Sequence, residues 1–128
     1  MGTGSLETLV ILVVARHPLL RRMLRDVLWR LGAREVVLAA DTDTALEIAA
    51  DRPPDLIVAV WSPHCDGLGL IAALRAESSE VPVLLCTAYE PERHAEALAA
   101  GAAATVALPL SVPSFYEGVL EATRLTWL

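Results

Sequence analysis

The chain of 128 residues contains no lysine, no asparagine and no glutamine. All ten of its basic residues are arginine, and sixteen acidic residues leave a net charge of −6. Any function that requires a lysine ammonium is therefore excluded. The acidic balance argues against a surface that tracks nucleic-acid phosphates, which needs clustered positive charge. Aromatic residues make up only 5% of the chain. The longest unbroken apolar run, Leu9–Ala15, falls far short of the ~20 residues needed to cross a bilayer. No basic segment precedes that run, as a secretory signal would require. Cys65 and Cys86 are the two cysteines, and in a chain without such a signal they read as reduced thiols. The expectation is a cytoplasmic protein with no membrane segment and no direct contact with nucleic acid.

What is present is ample apolar material, 55% of the residues, and a length suited to one domain. Residues 1–7 read as a flexible leader and residues 8–128 as the domain. Strand-like and helix-like segments then alternate. Leu9–Ala15 (LVILVVA) is a β-branched run of the kind buried on both faces of a sheet. Pro18–Leu31 carries Leu20, Met23, Leu24, Val27, Leu28 and Leu31 at helical spacing, with Gly32 to close it. Glu35–Ala40 reads as a second strand, and Asp41 or Thr42 caps a helix running through Ala50. Asp55–Trp61 is a third strand, Gly67–Ala76 a third helix, Val81–Cys86 a fourth strand and Glu90–Ala100 a small-residue helix ending at Gly101. Ala103–Ala107 and Val112–Thr126 complete the series. Five such units predict an α/β flavodoxin-like three-layer sandwich, with a parallel five-stranded sheet of order 2-1-3-4-5. Function in such sheets gathers at the carboxyl ends of the strands, here Ala15 to His17, Asp41, Trp61 to Asp66, Thr87 to Tyr89, and Leu108 with Pro109.

The blocks ILVVARHPLLRRMLRDVLWRLG, PDLIVAVWSPHCDG, VPVLLCTAY and GAAATVALPL, taken in order, resemble the response-regulator receiver family of two-component signalling over about Leu9 to Leu125. The resemblance implies a phosphorylation switch, and its functional positions depart from the family pattern. The acidic pair that holds magnesium after the first strand is matched by Ala15 and Arg16. The phosphoacceptor falls on Val60 when counted from Pro54-Asp55, or on Ala59 when counted back from Pro63 and Asp66-Gly67, because the loop is one residue short. Thr87 matches the family's hydroxyl. Leu108 takes the place of the lysine, while the following proline survives as Pro109, which implies a cis peptide bond. Thr105 stands where an aromatic residue reports activation. A methyl or isopropyl group cannot attack a phosphoryl donor, and metal-assisted transfer depends on positioning and charge neutralisation. The chain is thus expected to be a degenerate receiver, or pseudoreceiver: not an enzyme, without metal or other cofactor, and acting as a phosphorylation-independent interaction module.

The partners this implies are a signalling kinase, an effector or a second copy of the chain. Arg21, Arg22 and Arg25 read either as a solvated helix face or as a docking stripe for an acidic partner. Ala97, Ala104, Phe115 and Tyr116, with the tail residues Leu125, Trp127 and Leu128, fall on the face of helix four, strand five and helix five that mediates dimerisation in the family. Arg16 reads as a local ion-pair partner of Asp41, Asp66 or Glu90, or as an anion-binding group at the pocket mouth. His17, His64 and His94, with Cys65 and Asp66, match no compact metal motif. The alternative reading is a small-molecule sensor using the vacated pocket around Arg16, Val60, Thr87 and Leu108. A flavin or phosphate cradle ranks last, because the loop ARHPLL lacks the small hydroxyl and glycine residues such a cradle needs.

Overall fold

Residues 6–124 are described by the structure, a computed structural model of the chain. The elements alternate strictly: β1 (Val10–Val14), α1 (Pro18–Arg30), β2 (Glu35–Ala39), α2 (Thr42–Asp51), β3 (Leu56–Val60), α3 (Gly67–Ala76), β4 (Val83–Ala88), α4 (Pro91–Ala99), β5 (Ala104–Leu108) and α5 (Val112–Thr123). The five strands form one parallel sheet of order β2-β1-β3-β4-β5, the flavodoxin-like arrangement expected from the five repeated units. Successive side chains on a strand point to opposite faces. Every residue of β3, and of β4 up to Thr87, is nevertheless buried, so helices cover both sides of the sheet's centre.

Side chains with defined tasks set the register. Asp55 donates its backbone N–H to the Val10 carbonyl at 2.7 Å, and its carboxylate accepts from the Val10 N–H at 2.7 Å. That pair fixes where β1 and β3 begin beside each other, and Val14 then pairs with both Ala39 and Ala59. The strand ends consequently line up along one edge, with Val60 beside Cys86 and Ala88 beside Leu108. Helices α2 and α3 start from that edge with carboxylate caps: Asp41 accepts from Thr44 N–H at 2.8 Å and Asp66 from Gly69 N–H at 2.9 Å.

Some boundaries differ from those the sequence suggests. β4 runs from Val83 to Ala88 rather than from Val81 to Cys86. Pro82 has no N–H for the ladder, and the Arg75 guanidinium donates to the carbonyls of Ser79 and Val81, holding Val81 outside the strand. The gain at the other end brings Thr87 into the sheet, opposite Ala107. α5 ends at Thr123, with Arg124 in the left-handed region at φ 57°; Thr126, Leu125, Trp127 and Leu128 lie outside the described residues. Leu6, read as part of a leader, is 2% exposed and belongs to the core, with its carbonyl accepting from Leu9 N–H. Three residues assigned to an interaction face are also core residues: Ala97, Ala104 and Phe115 are at most 1% exposed. The apolar stripe that marks a helix or strand as amphipathic faces inward here, and Phe115 is among the largest fully buried side chains.

Candidate functional site: the carboxyl edge of the sheet

The loop after β1 is built by Arg21, whose guanidinium folds back from α1 to donate to the Ala15 carbonyl at 2.7 Å and the Arg16 carbonyl at 3.3 Å. Arg21 is therefore part of the loop's scaffold and does not join an outward stripe. Arg25 is also engaged, in an ion pair with Asp26 at 3.0 Å and over the Trp29 ring at 4.5 Å, which leaves Arg22 as the exposed member of the three. Ala15 is fully buried, with its N–H on the Ala39 carbonyl. Arg16 and His17 are exposed, and His17 Nδ1 caps α1 by accepting from Leu19 N–H at 3.2 Å.

After β3 the chain turns tightly. Ser62 and Cys65 exchange both backbone hydrogen bonds, at 2.9 and 3.1 Å, around Pro63 and His64. Of the two residues that compete for the strand-end position, Val60 lines the cavity at this edge, while Ala59 is fully buried in the sheet between Val14 and Leu85. Leu108 lies between two hollows. One, of about 360 Å³, is lined by Arg16, Pro18, Leu20, Val60 and Leu108 among others; the second, of about 440 Å³, lies towards Trp61, Arg93 and Pro109. The Leu108–Pro109 peptide is cis.

Thr87 is the single buried polar side chain among the described residues, and it is fully satisfied. Its hydroxyl donates to the Trp61 carbonyl at 2.8 Å and accepts from the Arg93 guanidinium at 3.5 Å. The same guanidinium stacks over the Trp61 ring at 4.6 Å and lies 3.9 Å from the Glu90 carboxylate. The next residue, His94, bridges two strands. Its Nε2–H donates to the Ala88 carbonyl at 3.0 Å, which can only accept, so Nδ1 of the neutral ring accepts from the Thr105 hydroxyl at 2.7 Å. Sequence reasoning did not find Arg93, and it left His94 as a stray imidazole. The signal was there: side chains in the opening turns of a helix lean towards its N-terminus, and α4 starts next to the end of β4.

Electrostatics at the edge are modest. Hydrogen bonds from Thr44 hold the Asp41 carboxyl below its ordinary range, with a smaller contribution from the Arg16 charge. Burial raises the Cys65 thiol against a lowering hydrogen bond from the Arg16 backbone, and it pushes Cys86 up to about 12. Both cysteines are buried and unbridged. Arg16 makes none of the ion pairs expected with Asp41, Asp66 or Glu90; the pairs among the described residues involve Arg25, Arg52 and Arg93. Among the described residues, no three His, Cys, Asp or Glu side chains come together as a metal site.

The model of one known family, the response regulator receiver domain, matches residues 11–117. The chain belongs to the receiver-domain family. It is similar to the regulatory protein AtoC of Escherichia coli, at 35% identity over 90% of this chain and 25% of that protein. It is also similar to the response regulator MprA of Mycobacterium ulcerans, at 40% identity over 62% of this chain and 34% of that protein. The Francisella response regulator 1452 receiver domain shares the fold, with a TM-score of 0.81 over 91% of this chain and 98% of that one at 22% identity. NtrX of Brucella abortus superposes with a TM-score of 0.80 at 25% identity, over 91% of this chain and 27% of NtrX. The chain spans about a quarter to a third of these two curated relatives. It is thus a receiver domain of two-component signalling, and among its described residues no helix is long and apolar enough to cross a membrane. Magnesium, a hard cation that takes oxygen ligands, does not fit the side chains this receiver domain presents at the ends of β1 and β3, which are Ala15, Arg16 and Val60.

Proposed function

We propose that this receiver domain signals without accepting a phosphoryl group. It acts as a cytoplasmic interaction module held in one conformation and read by a kinase, an effector or a second copy of itself. The observation that carries the reading is the set of side chains at the four strand-end positions where the receiver pattern puts its cation ligands, its acceptor and its ammonium. Ala15, Arg16, Val60 and Leu108 supply no nucleophile, no anionic oxygen for a cation and no ammonium. Phosphoryl transfer needs an acceptor held in line and a metal beside it, and the one charged group of the four, the Arg16 guanidinium, is neither a nucleophile nor a cation ligand.

The clamp at α4 supports a single held state. Arg93 and His94, adjacent in sequence, satisfy the hydroxyls of Thr87 and Thr105 and tie α4 to the carboxyl ends of β3 and β4 and to the start of β5 at Thr105. For the partner surface, the exposed apolar residues beside β5 are Tyr89, Leu98 and Val112, with half-buried Tyr116 on α5, and we assign self-association to this face. Arg22, Leu19 and Met23 on α1 form a second exposed patch suited to an acidic partner.

The test is incubation with acetyl phosphate and magnesium, read by intact-protein mass and phosphate-affinity electrophoresis beside a receiver that carries the acceptor aspartate. No adduct is expected. A phosphorylated species that is labile to acid or hydroxylamine would overturn the proposal.

A further inference from the structure

We infer that the cavity between Arg16 and Leu108 is a binding site for a small amphipathic carboxylate, with the apolar body on Val60, Leu20, Pro18 and Leu108 and the carboxylate on Arg16 and His17. The cavity measures about 360 Å³, towards the lower end of the roughly 300–1,000 Å³ usual for ligand sites. Its chemistry is two-sided. Val60 is 4% exposed and lies beside Leu20 and Leu108, both packed against the core, so the floor is apolar. Donors stand at the rim. His17 Nδ1 is occupied as an acceptor from Leu19 N–H, which leaves the proton of the neutral ring on Nε2 as an outward donor. The Arg16 guanidinium has no hydrogen bond and no ion pair within 4 Å among the described residues.

The charge distribution selects an anion. No carboxylate lines this cavity. Asp41, Asp43 and Asp66 line a separate hollow of about 230 Å³ that shares Arg16, His64 and Cys65, and of these carboxylates Asp41 and Asp66 are committed to helix caps. In an acidic protein this leaves a local surplus of donors above an apolar pocket. A guanidinium binds a carboxylate through a planar fork of charge-assisted hydrogen bonds, so Arg16 sets both orientation and charge preference. The inference needs only the cavity and holds whether or not a protein partner reads the domain.

The test is isothermal titration calorimetry with ¹H–¹⁵N NMR, using phenylacetate and isovalerate as carboxylate probes, 2-phenylethanol as the neutral analogue and 2-phenylethylammonium as the cation. Saturable carboxylate binding is expected, with amide shifts confined to the loops around residues 15–20, 60–65 and 108. Arg16→Gln and Arg16→Ala, on an exposed side chain, should keep the parent's circular dichroism spectrum, weaken carboxylate binding about tenfold or more and leave the neutral probe unchanged. Leu108→Trp should fill the cavity and abolish binding of every probe. Absence of saturable binding by both carboxylates, equal binding of the ammonium, or unchanged affinity in both Arg16 variants would overturn the inference.

Discussion

Placing a carboxylate back at the end of β3, as Val60→Asp, tests what the strand ends can support. Val60 is 4% exposed, between the sheet and an apolar cavity. A new aspartate there has Arg16 at the rim as its nearest cation and no ammonium at position 108. Its charged form is disfavoured by burial, so its native pKa rises above the ordinary ~3.9. Below that value both folded and unfolded states hold the proton, and the variant loses only packing, about 1–2 kcal/mol for an isopropyl group replaced by a neutral acid. As pH rises, the unfolded chain ionises while the native carboxyl stays protonated. Stability then falls by about 1.4 kcal/mol per pH unit until the raised native pKa is reached. A rise of about two units adds roughly 2.7 kcal/mol, giving a total near 4 kcal/mol at neutral pH, a large part of the usual 5–15 kcal/mol of a domain.

Urea denaturation of parent and variant at pH 4.5 and pH 7.5 measures this directly, because the parent's own pH dependence cancels in the difference. The gap should widen by more than 1 kcal/mol between the two pH values. Leu108→Lys, added to Val60→Asp, places an ammonium at the same cavity; it should recover part of the loss and flatten the pH slope, a coupling that the two single variants expose as a cycle. Arg16→Ala in the Val60→Asp background should deepen the loss. A Val60→Asp protein within about 1 kcal/mol of the parent at both pH values, with no coupling to position 108, would refute the assignment of Val60 to this cavity.

Arg93→Ala removes the stack on Trp61 and the donor to Thr87, and should cost about 1 kcal/mol in urea melts while hastening amide exchange along α4. His94→Ala releases the links to Ala88 and Thr105 and should cost about 1–2 kcal/mol by the same measurements; unchanged α4 exchange in both variants would refute the clamp. Neither buried thiol should react with iodoacetamide at pH 8 until the protein unfolds, since burial raises both. For Cys86 the raised pKa gives a contribution that is complete below the unfolded value of 9.0 and fades as pH climbs towards about 12, so the stability difference between parent and Cys86→Ala should stay constant below pH 9 and shift against the parent only in that alkaline window. Gly118→Ala would set its Cβ 2.6 Å from Val106 Cγ2, and despite the better helix propensity it should destabilise by about 1–3 kcal/mol; a stabilised variant would show that α5 can move off β5.

The fold was legible because its strands announce themselves. LVILVVA and LIVAV admit no amphipathic alternative, and Gly32 and Gly101, at φ 108° and 112°, close α1 and α4 as their positions suggest. Of the two caps the sequence offers for α2, Asp41 and Thr42, it is Asp41 that caps the helix. The side chains that build the strand-end edge were far less legible than the fold. Side chains that reach across the fold leave no local pattern: Arg21 on two carbonyls of the β1 loop, Arg75 on Ser79 and Val81, and Arg93 on Thr87. An arginine at a helix surface reads as solvated until its length is followed back along the helix. The same limit explains Phe115, Ala97 and Ala104. Their residue types suit an interface as well as a core, and only the packing of α4 and α5 onto β5 separates the two.

The clamp and the strand ends bear on the same equilibrium. A ligand shifts a conformational balance only through a difference in affinity for the two states, about 1.4 kcal/mol for each tenfold. Here Thr87 already donates to the Trp61 carbonyl and accepts from Arg93, and Thr105 is paired with His94. A hydroxyl that is satisfied gains little from a new acceptor, and breaking its present bonds opposes the change. Any signal that rearranges this edge must therefore offset the Arg93 and His94 contacts together, which favours a large protein surface or a cavity-filling ligand over a small anion near Thr87. Loosening the clamp with Arg93→Ala should accordingly strengthen binding of whatever selects the alternative state and weaken binding of whatever reads the present one. Titrating the same partner against both proteins separates these two cases by the sign of the change.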